Sequence, residues 1–422
     1  MRFVLILFGL LVLASQSYAG STIEGNHKPD ILTLTDAIST ALEKSPQLQA
    51  QRASRSELEA DSLQAGLMPN PEIALEAAQI AGQGSYQGTK RAEFSAAISQ
   101  QIEIGGKRAA RSSVADKAIA LSDSEKQSLE QDIKQNVTIA YFEAVAAQEK
   151  LILAQDQLQL AQEAYDVVRR RVDAAREPVL QKMKADVALA NARLVKAEAE
   201  KQMTAKKQQL LLLLGAPQLN VILDKTAFDS LVPPPPLAAL DEQLTQTSDY
   251  QRFAKERERG EAVLALEKTA AIPDPRVSVG ITDFRETEEQ ALMVGVSIPL
   301  PVFNRNQGAI AKAGHSLTRL DAEQRQVLQK LNADLYAAWQ EMGTAYTQAR
   351  SLQQNILPQA KRAYAESQRG YQLGGFSYLE VLDAQRTLAD TRLQHISLIS
   401  AYHQAKARVD RLTGGFSSVI QP

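Results

Sequence analysis

The apolar positions of this chain follow two different rhythms. From Ile133, the residues Val137, Ala140, Ala144, Ala147, Leu151, Ala154, Leu158, Ala161, Tyr165, Val168 and Val172 follow at spacings of four and three without a break. The same rule spaces Leu331, Leu335, Ala338, Met342, Ala345, Ala349, Leu352 and Ile356. An apolar period of 3.5 residues sustained over this length predicts long helices wound as left-handed coiled coils. Many seam positions are alanine, so helix axes can approach closely. The stripe is also narrower than the apolar face of a helix buried in a globular core.

Elsewhere the apolar residues alternate. Ile73, Leu75 and Ala77 do so, then Phe94, Ala96 and Ile98. In the second half Val277, Val279 and Ile281 alternate, then Leu292, Val294, Val296 and Ile298. A period of two predicts strands, in pairs at about 71–104 and 275–300. Each is about ten residues long, the length of a tilted membrane strand. A soluble two-stranded ribbon has the same pattern, so the alternation alone leaves both readings open. Four strands cannot close a membrane barrel, which needs about eight. An open edge in lipid would leave backbone groups unpaired at several kcal/mol each. Membrane strands here would therefore require several chains to pool them.

The chain is one unit written twice. Pro69-Asn70-Pro71 matches Pro273-Asp274-Pro275, Tyr141 and Glu143 match Trp339 and Glu341, and Ala164-Tyr165 matches Ala363-Tyr364. Leu189-Ala190, Arg193-Leu194, Leu213 and Gly215 match Leu388-Ala389, Arg392-Leu393, Leu412 and Gly414, with the offset near 200 throughout. Internal repeats of this kind set the architecture.

The first repeat is expected over 20–215. It comprises a helix from about Thr35, as its N-cap, to Gly66, then the strand pair, a long helix at about 107–175 and a helix at about 179–214. The second is expected over 238–415, with the strand pair, a long helix at about 307–371 and a helix at about 377–413. Between them, 216–237 contains Pro233–Pro236, a stiff and extended crossover that either packs outside the helices or stays a disordered linker. Residues 416–422 form a tail. Prolines and glycines mark each strand–helix transition: Pro69 and Pro71, Gly105 and Gly106, Pro273 and Pro275, Pro299 and Pro301.

A long helix of nearly 70 residues spans roughly 100 Å at 1.5 Å per residue. The shorter helices are about half that length, so two stacked end to end match one long helix, as parallel staves.

Composition removes several function classes. Lys and Arg number 47 and Asp and Glu 49, a net charge of -2 that gives no electrostatic case for nucleic acid. There is no cysteine, and the four histidines, His27, His315, His395 and His403, show no zinc-site spacing. Phosphate loops, nucleophile elbows and metalloprotease helices are missing from the sequence, so neither an enzyme, a cofactor nor a metal site is indicated. At the start, Arg2 precedes an apolar run from Phe3 to Leu13, followed by Ser17-Tyr18-Ala19. That reads as a secretory signal over 1–19, cut after Ala19, with no cysteine to carry a lipid. No later segment has the roughly 18 apolar residues of a membrane helix.

One acidic pair stands out by position. Glu380 and Asp383 lie three residues apart near the start of the final helix, on one face. They follow Gly374-Gly375-Phe376, a turn between antiparallel helices at the end farthest from the strands. The first repeat has Arg176-Glu177-Pro178 at the equivalent turn. By themselves the two acids fit a solvated first helical turn, which the helix dipole favours.

Several of these stretches resemble the TolC-type outer membrane factors of Gram-negative export systems, over nearly the whole mature chain. They include Leu34-Thr35-Asp36-Ala37-Ile38 with Ser45-Pro46-Gln47-Leu48. They also include Gln101-Ile102-Glu103-Ile104-Gly105-Gly106-Lys107-Arg108 and Ile298-Pro299-Leu300-Pro301-Val302-Phe303-Asn304-Arg305-Asn306-Gln307-Gly308. The last two look like the subgroup serving cobalt–zinc–cadmium resistance pumps of the resistance–nodulation–division class.

The resemblance implies an α+β membrane protein. Its three chains pool four strands each into a twelve-stranded outer-membrane barrel continuous with a long periplasmic α-helical barrel. It implies a passive conduit working with a periplasmic adaptor protein and an inner-membrane pump, with outer-membrane lipid around the strands. Leu379-Glu380-Val381-Leu382-Asp383 matches the stretch that lines the family's periplasmic entrance, where six carboxylates in a trimer would raise each other's proton affinity and attract cations. Tyr371, in Gly370-Tyr371-x-x-Gly374, matches a tyrosine that helps hold the tip closed. In TolC itself an arginine commonly follows a few residues later, but Phe376 stands there in this chain, which tells against a polar latch at that residue. The tips at Arg176, Glu177, Gly374 and Gly375 are the implied adaptor contacts. The cargo is expected to be divalent heavy-metal cations. Drug or organic-solute efflux through the same kind of channel is the alternative, and a periplasmic coiled-coil scaffold without a pore is the reading from a different class.

Overall fold

The computed structural model describes residues 30–418. The expected signal segment and the last four residues of the tail lie outside that range. The elements run β1 (Asp30–Leu32), α1 (Leu34–Lys44), α2 (Pro46–Ala65), β2 (Glu72–Ala78), β3 (Glu93–Gln101), α3 (Lys107–Asp173), α4 (Val179–Leu213) and β4 (Val221–Leu223). They continue with α5 (Leu237–Leu244), α6 (Ser248–Ala270), β5 (Arg276–Phe284), β6 (Glu289–Ser297), α7 (Gln307–Ser351), α8 (Leu357–Gln372) and α9 (Tyr378–Thr413), with a π-helical turn at Leu352–Ile356 between α7 and α8.

The opening helix differs from the expectation of one helix capped by Thr35. Thr33 is the N-cap, with Asp36 closing a capping box at N3. The helix breaks at Ser45, because Pro46 has no N–H to continue the ladder and holds its predecessor in an extended conformation. α2 then ends at Gly66, before Pro69 and Pro71.

The strands form one antiparallel sheet in the order β2-β3-β5-β6. Ile73 faces Ile98, Ile98 faces Val279, and Val279 faces Val294 across the three ladders. These residues share one face of the sheet, together with Leu75, Phe94, Ile281, Leu292 and Val296, and all are exposed. The opposite face carries Glu72, Ser95, Ser99, Ser278 and Thr282, with Ser95 and Thr282 hydrogen-bonded at 3.0 Å. Among the described residues the sheet therefore has an apolar face with nothing packed on it and two unpaired edges, β2 and β6.

The helices lie side by side as staves. Nearest the sheet the order is α2-α3-α6-α7; at the far end it is α4-α3-α9-α8. α3, at 67 residues, is about 100 Å long and runs past both short neighbours on each side. Where the short helices meet end to end lies the core. Ile133, Val137, Tyr141, Val145, Leu210 and Phe228 pack there with Ile38 and Ile399. A second cluster of Leu331, Leu335, Met342, Tyr402 and Val409 adjoins it.

The crossover is pinned to this level rather than simply strapped outside. β4 pairs in parallel with β1, and Val221, Leu223 and Phe228 are buried. The Tyr141 hydroxyl lies 2.9 Å from the Leu32 carbonyl and 2.7 Å from that of Asp224. Its repeat counterpart Trp339 donates its indole N–H to the Pro235 carbonyl at 2.9 Å. His403 stacks on Phe142 and donates Nε2–H to the Phe228 carbonyl at 2.9 Å. Arg411, almost buried, ties α9 to Asp249 of α6 and Asp132 of α3 at 2.6 Å each. Burial alone would raise the Asp249 carboxyl, but hydrogen bonds from Arg411 and Ser128 hold it below the usual range.

Candidate functional site

Two regions follow from this scaffold: the strand–helix junction and the helical tip. At the junction the chain reverses its backbone habit within a few residues. Gly105 and Gly106, between β3 and α3, adopt φ of +72° and +78°. A Cβ on Gly105 would stand 2.5 Å from Ile272 Cδ1. Asn306 takes the same left-handed conformation at the start of α7 (φ +57°), so the two repeats share the device with different residues. Its amide donates to the Glu267 carbonyl at 2.8 Å.

Pro69 and Pro71 connect α2 to β2, Pro273 and Pro275 connect α6 to β5, and Pro299 and Pro301 connect β6 to α7. Between the second pair, Asp274 gathers Gln101 (3.1 Å), the Ile104 amide (3.0 Å) and Lys107 (2.7 Å). Burial opposes the charge on Asp274, and these donors outweigh it, holding the carboxyl below its usual range.

At the tip, α3 and α4 form one hairpin and α8 and α9 the other. Tyr371 is 6% exposed and donates its hydroxyl to Glu177 Oε1 at 2.8 Å, which joins the two hairpins. Arg171, which the sequence reading did not single out, completes this contact. Its guanidinium stacks over the Tyr371 ring at 4.3 Å, donates to the Tyr371 carbonyl at 3.1 Å and lies 3.4 Å from Glu177. One signal was available: of Arg169, Arg170 and Arg171, only Arg171 lies three residues after seam position Val168. Burial, and then the Glu177 carboxylate, push the Tyr371 hydroxyl up to about 12, so it stays a donor at ordinary pH.

Phe376 packs against Gly370, where a Cβ would stand 2.3 Å from the ring, and Gly374 takes φ +81° to make the turn. Arg176 is exposed in the opposite turn. Glu380 closes a capping box, its Oε2 accepting from the Ser377 amide at 2.6 Å. Glu380 and Asp383 are exposed on one helix face, and among the described residues neither joins a salt bridge. Within one chain Glu380 therefore caps the helix, and the two carboxylates present an exposed acidic surface. Among the described residues, no group of three or more potential ligands is placed to hold a metal, and no helix is long and apolar enough to cross a membrane.

The model of the family described as "Outer membrane efflux protein" matches residues 37–216 and 243–415. The chain belongs to that family. Outer membrane efflux proteins are channels rather than enzymes, and this chain is one of them. It is 29% identical over 383 residues to the cobalt-zinc-cadmium resistance protein CzcC of Cupriavidus metallidurans, covering 91% of this chain and 90% of that one. The pyoverdine export outer membrane protein OpmQ of Pseudomonas putida is 25% identical, covering 90% and 86%. Among solved structures, CusC superposes with a TM-score of 0.74 at 20% identity, covering 90% of this chain and 91% of that one. VceC of Vibrio cholerae gives 0.71 at 18%, covering 90% and 96%. The efflux-channel fold accounts for an otherwise odd combination: a small sheet with a bare apolar face set on staves about 100 Å long.

Proposed function

We propose that this efflux protein is the outer-membrane conduit of a tripartite pump, assembled as a homotrimer and passing divalent heavy-metal cations to the exterior. The observation that carries the assembly is the pair of open edges. β2 and β6 end the sheet unpaired, below a face of exposed Ile73, Leu75, Leu292, Val294 and Val296. Lipid cannot satisfy such edges, so β6 of one copy pairs with β2 of the next until the sheet closes. Three copies give twelve strands. The helical edges favour the same closure: α4 exposes Leu180, Met183, Val187 and Leu194 at coiled-coil spacing on the side without a partner.

The tips at Arg176, Glu177, Gly374 and Gly375 then meet the periplasmic adaptor, which links the conduit to an inner-membrane pump. Glu380 and Asp383 from three copies ring the periplasmic entrance and favour cations. Likeness to CzcC supports metal cations as cargo. Likeness to OpmQ keeps organic solutes as the second reading.

Single-channel recording of the trimer in planar bilayers tests both parts. Small cation-selective currents that grow and lose selectivity in Glu380→Ala/Asp383→Ala support the acidic entrance. Equal currents leave Glu380 as a helix cap only. No current from folded protein of either kind removes the channel reading in favour of a scaffold.

A further inference from the structure

The two long helices differ by one residue. Trp339 and Glu341 stand 198 residues after their counterparts Tyr141 and Glu143, whereas Ala363 and Tyr364 stand 199 after Ala164 and Tyr165. The second repeat therefore gains a residue between these points. α3 is α-helical throughout, but its counterpart is interrupted by the π-turn at Leu352–Ile356, closed by the Leu357 amide donating to the Leu352 carbonyl. The extra residue is stored in that turn.

The seam shows what the storage achieves. An uninterrupted period from Leu352 would bury Ile356, Gln359, Ala363, Glu366 and Gly370. Instead Ile356 is 46% exposed, and Ala360, Ser367 and Tyr371 are the buried positions. The π-turn advances the seam by one, which excludes Gln359 and Glu366 and delivers Tyr371 to Glu177. The turn is also a weak point. Pro358 has no N–H for the Gln354 carbonyl, and residues 353–356 are exposed, so water competes for the freed groups. Kinks concentrate at such features.

We propose that the Leu352–Ile356 turn is the pivot on which α8 swings when the tip opens, a device present in the second hairpin and missing from the first. This rests on the reading of the tip as a gate. Tyr371 lies fifteen residues beyond Ile356, about 22 Å along the helix, so a tilt of about 10° moves it roughly 4 Å, enough to break its bond to Glu177.

Deleting Gln354 tests the pivot. It returns the spacing from Leu352 to Ala360 to seven, so the helix becomes unbroken while every downstream residue keeps its face. The trimer is expected to keep its melting temperature, whereas deletion of Ala363 turns the tip by about 100° and lowers it. In planar bilayers, Tyr371→Phe raises conductance several-fold in the native background and less than half as much with Gln354 deleted. An equal rise in both backgrounds overturns the pivot and leaves the gate intact; no rise in the native background overturns both. Hydrogen exchange on the unaltered trimer gives an independent measure. Amides 353–357 should exchange at least tenfold faster than amides 154–158 of the first repeat, and equal protection overturns the proposal.

Discussion

Tyr371 and Glu177, 194 residues apart in sequence, meet in a 2.8 Å hydrogen bond at the far end of the helices from the sheet. The bond joins the last turn of α8 to the turn that opens α4, with Arg171 stacked on the ring. One copy of the chain thus fastens its two hairpins together where the conduit narrows in the proposed trimer.

Loss of that bond should loosen the tip without unfolding the protein. Tyr371→Phe keeps the packed ring and the Arg171 stack and loses one hydrogen bond to a carboxylate, so stability should fall by about 1.5–3 kcal/mol. Arg171→Ala removes the carbonyl contact and the stack as well and should raise conductance further. The check is single-channel current at fixed voltage, with melting temperature as the folding control. Currents unchanged in both variants would dismiss the contact as a latch.

Acid should weaken the level at which the helices stack, through His403. The ring is 5% exposed, and burial pushes its pKa down to about 4 from 6.5. Between those values the folded protein binds fewer protons than the unfolded chain. The stabilisation is therefore complete above pH 6.5 and is lost as pH falls towards 4, by at most about 3 kcal/mol. Burial pushes the nearby Asp410 carboxyl up, and its contribution has the opposite sign. A comparison with His403→Gln, rather than the native profile alone, isolates the histidine. The fall in melting temperature from pH 7.5 to 5 should be smaller in the variant; an equal fall would assign it to other groups.

The crossover should depend on Tyr141. Tyr141→Phe removes the hydroxyl shared by the Leu32 and Asp224 carbonyls; Leu32 keeps the Asp224 amide as donor, and the Asp224 carbonyl loses its partner, a cost of about 1–3 kcal/mol. Denaturant unfolding should register it, accompanied by faster proteolysis within 216–237. Native-like cleavage would show that β1 and β4 hold the segment unaided.

The junction glycines should be unequal. Both need positive φ, but only Gly105 has a neighbour in the space of a Cβ. Gly106→Ala should cost about 1–2 kcal/mol from backbone strain alone. Gly105→Ala should cost more, because Ile272 must also move. Trimer yield after detergent extraction gives the ranking, and Gly105→Ala/Ile272→Ala should recover part of the loss.

The elements of this fold were largely legible in the sequence because each follows a local rule. The 3.5-residue period gave the coiled-coil helices, and the alternation of Ile73, Leu75 and Val277, Val279 gave the strands. Prolines and glycines gave the transitions. Where a local rule failed, a competing local effect was responsible. Pro46 broke a helix that periodicity alone would have continued. The seam written through Ile356 shifts by one residue at the π-turn, which leaves Gln359 and Glu366 exposed and buries Ala360, Ser367 and Tyr371.

Only tertiary structure decided the long-range contacts, within and between the repeats and onto the crossover. Arg171 reaching Tyr371, Arg411 joining Asp132 and Asp249, and Tyr141 fixing Asp224 all bring together residues that no spacing rule connects. A helix period states which face is buried, but not which distant side chain shares that face. The sequence by itself therefore determined the strands and the staves, because each follows a local period. The Glu380 cap is local, since Ser377 and Glu380 have the spacing of a capping box, whereas the three-dimensional packing decided which arginine meets Tyr371 and Glu177.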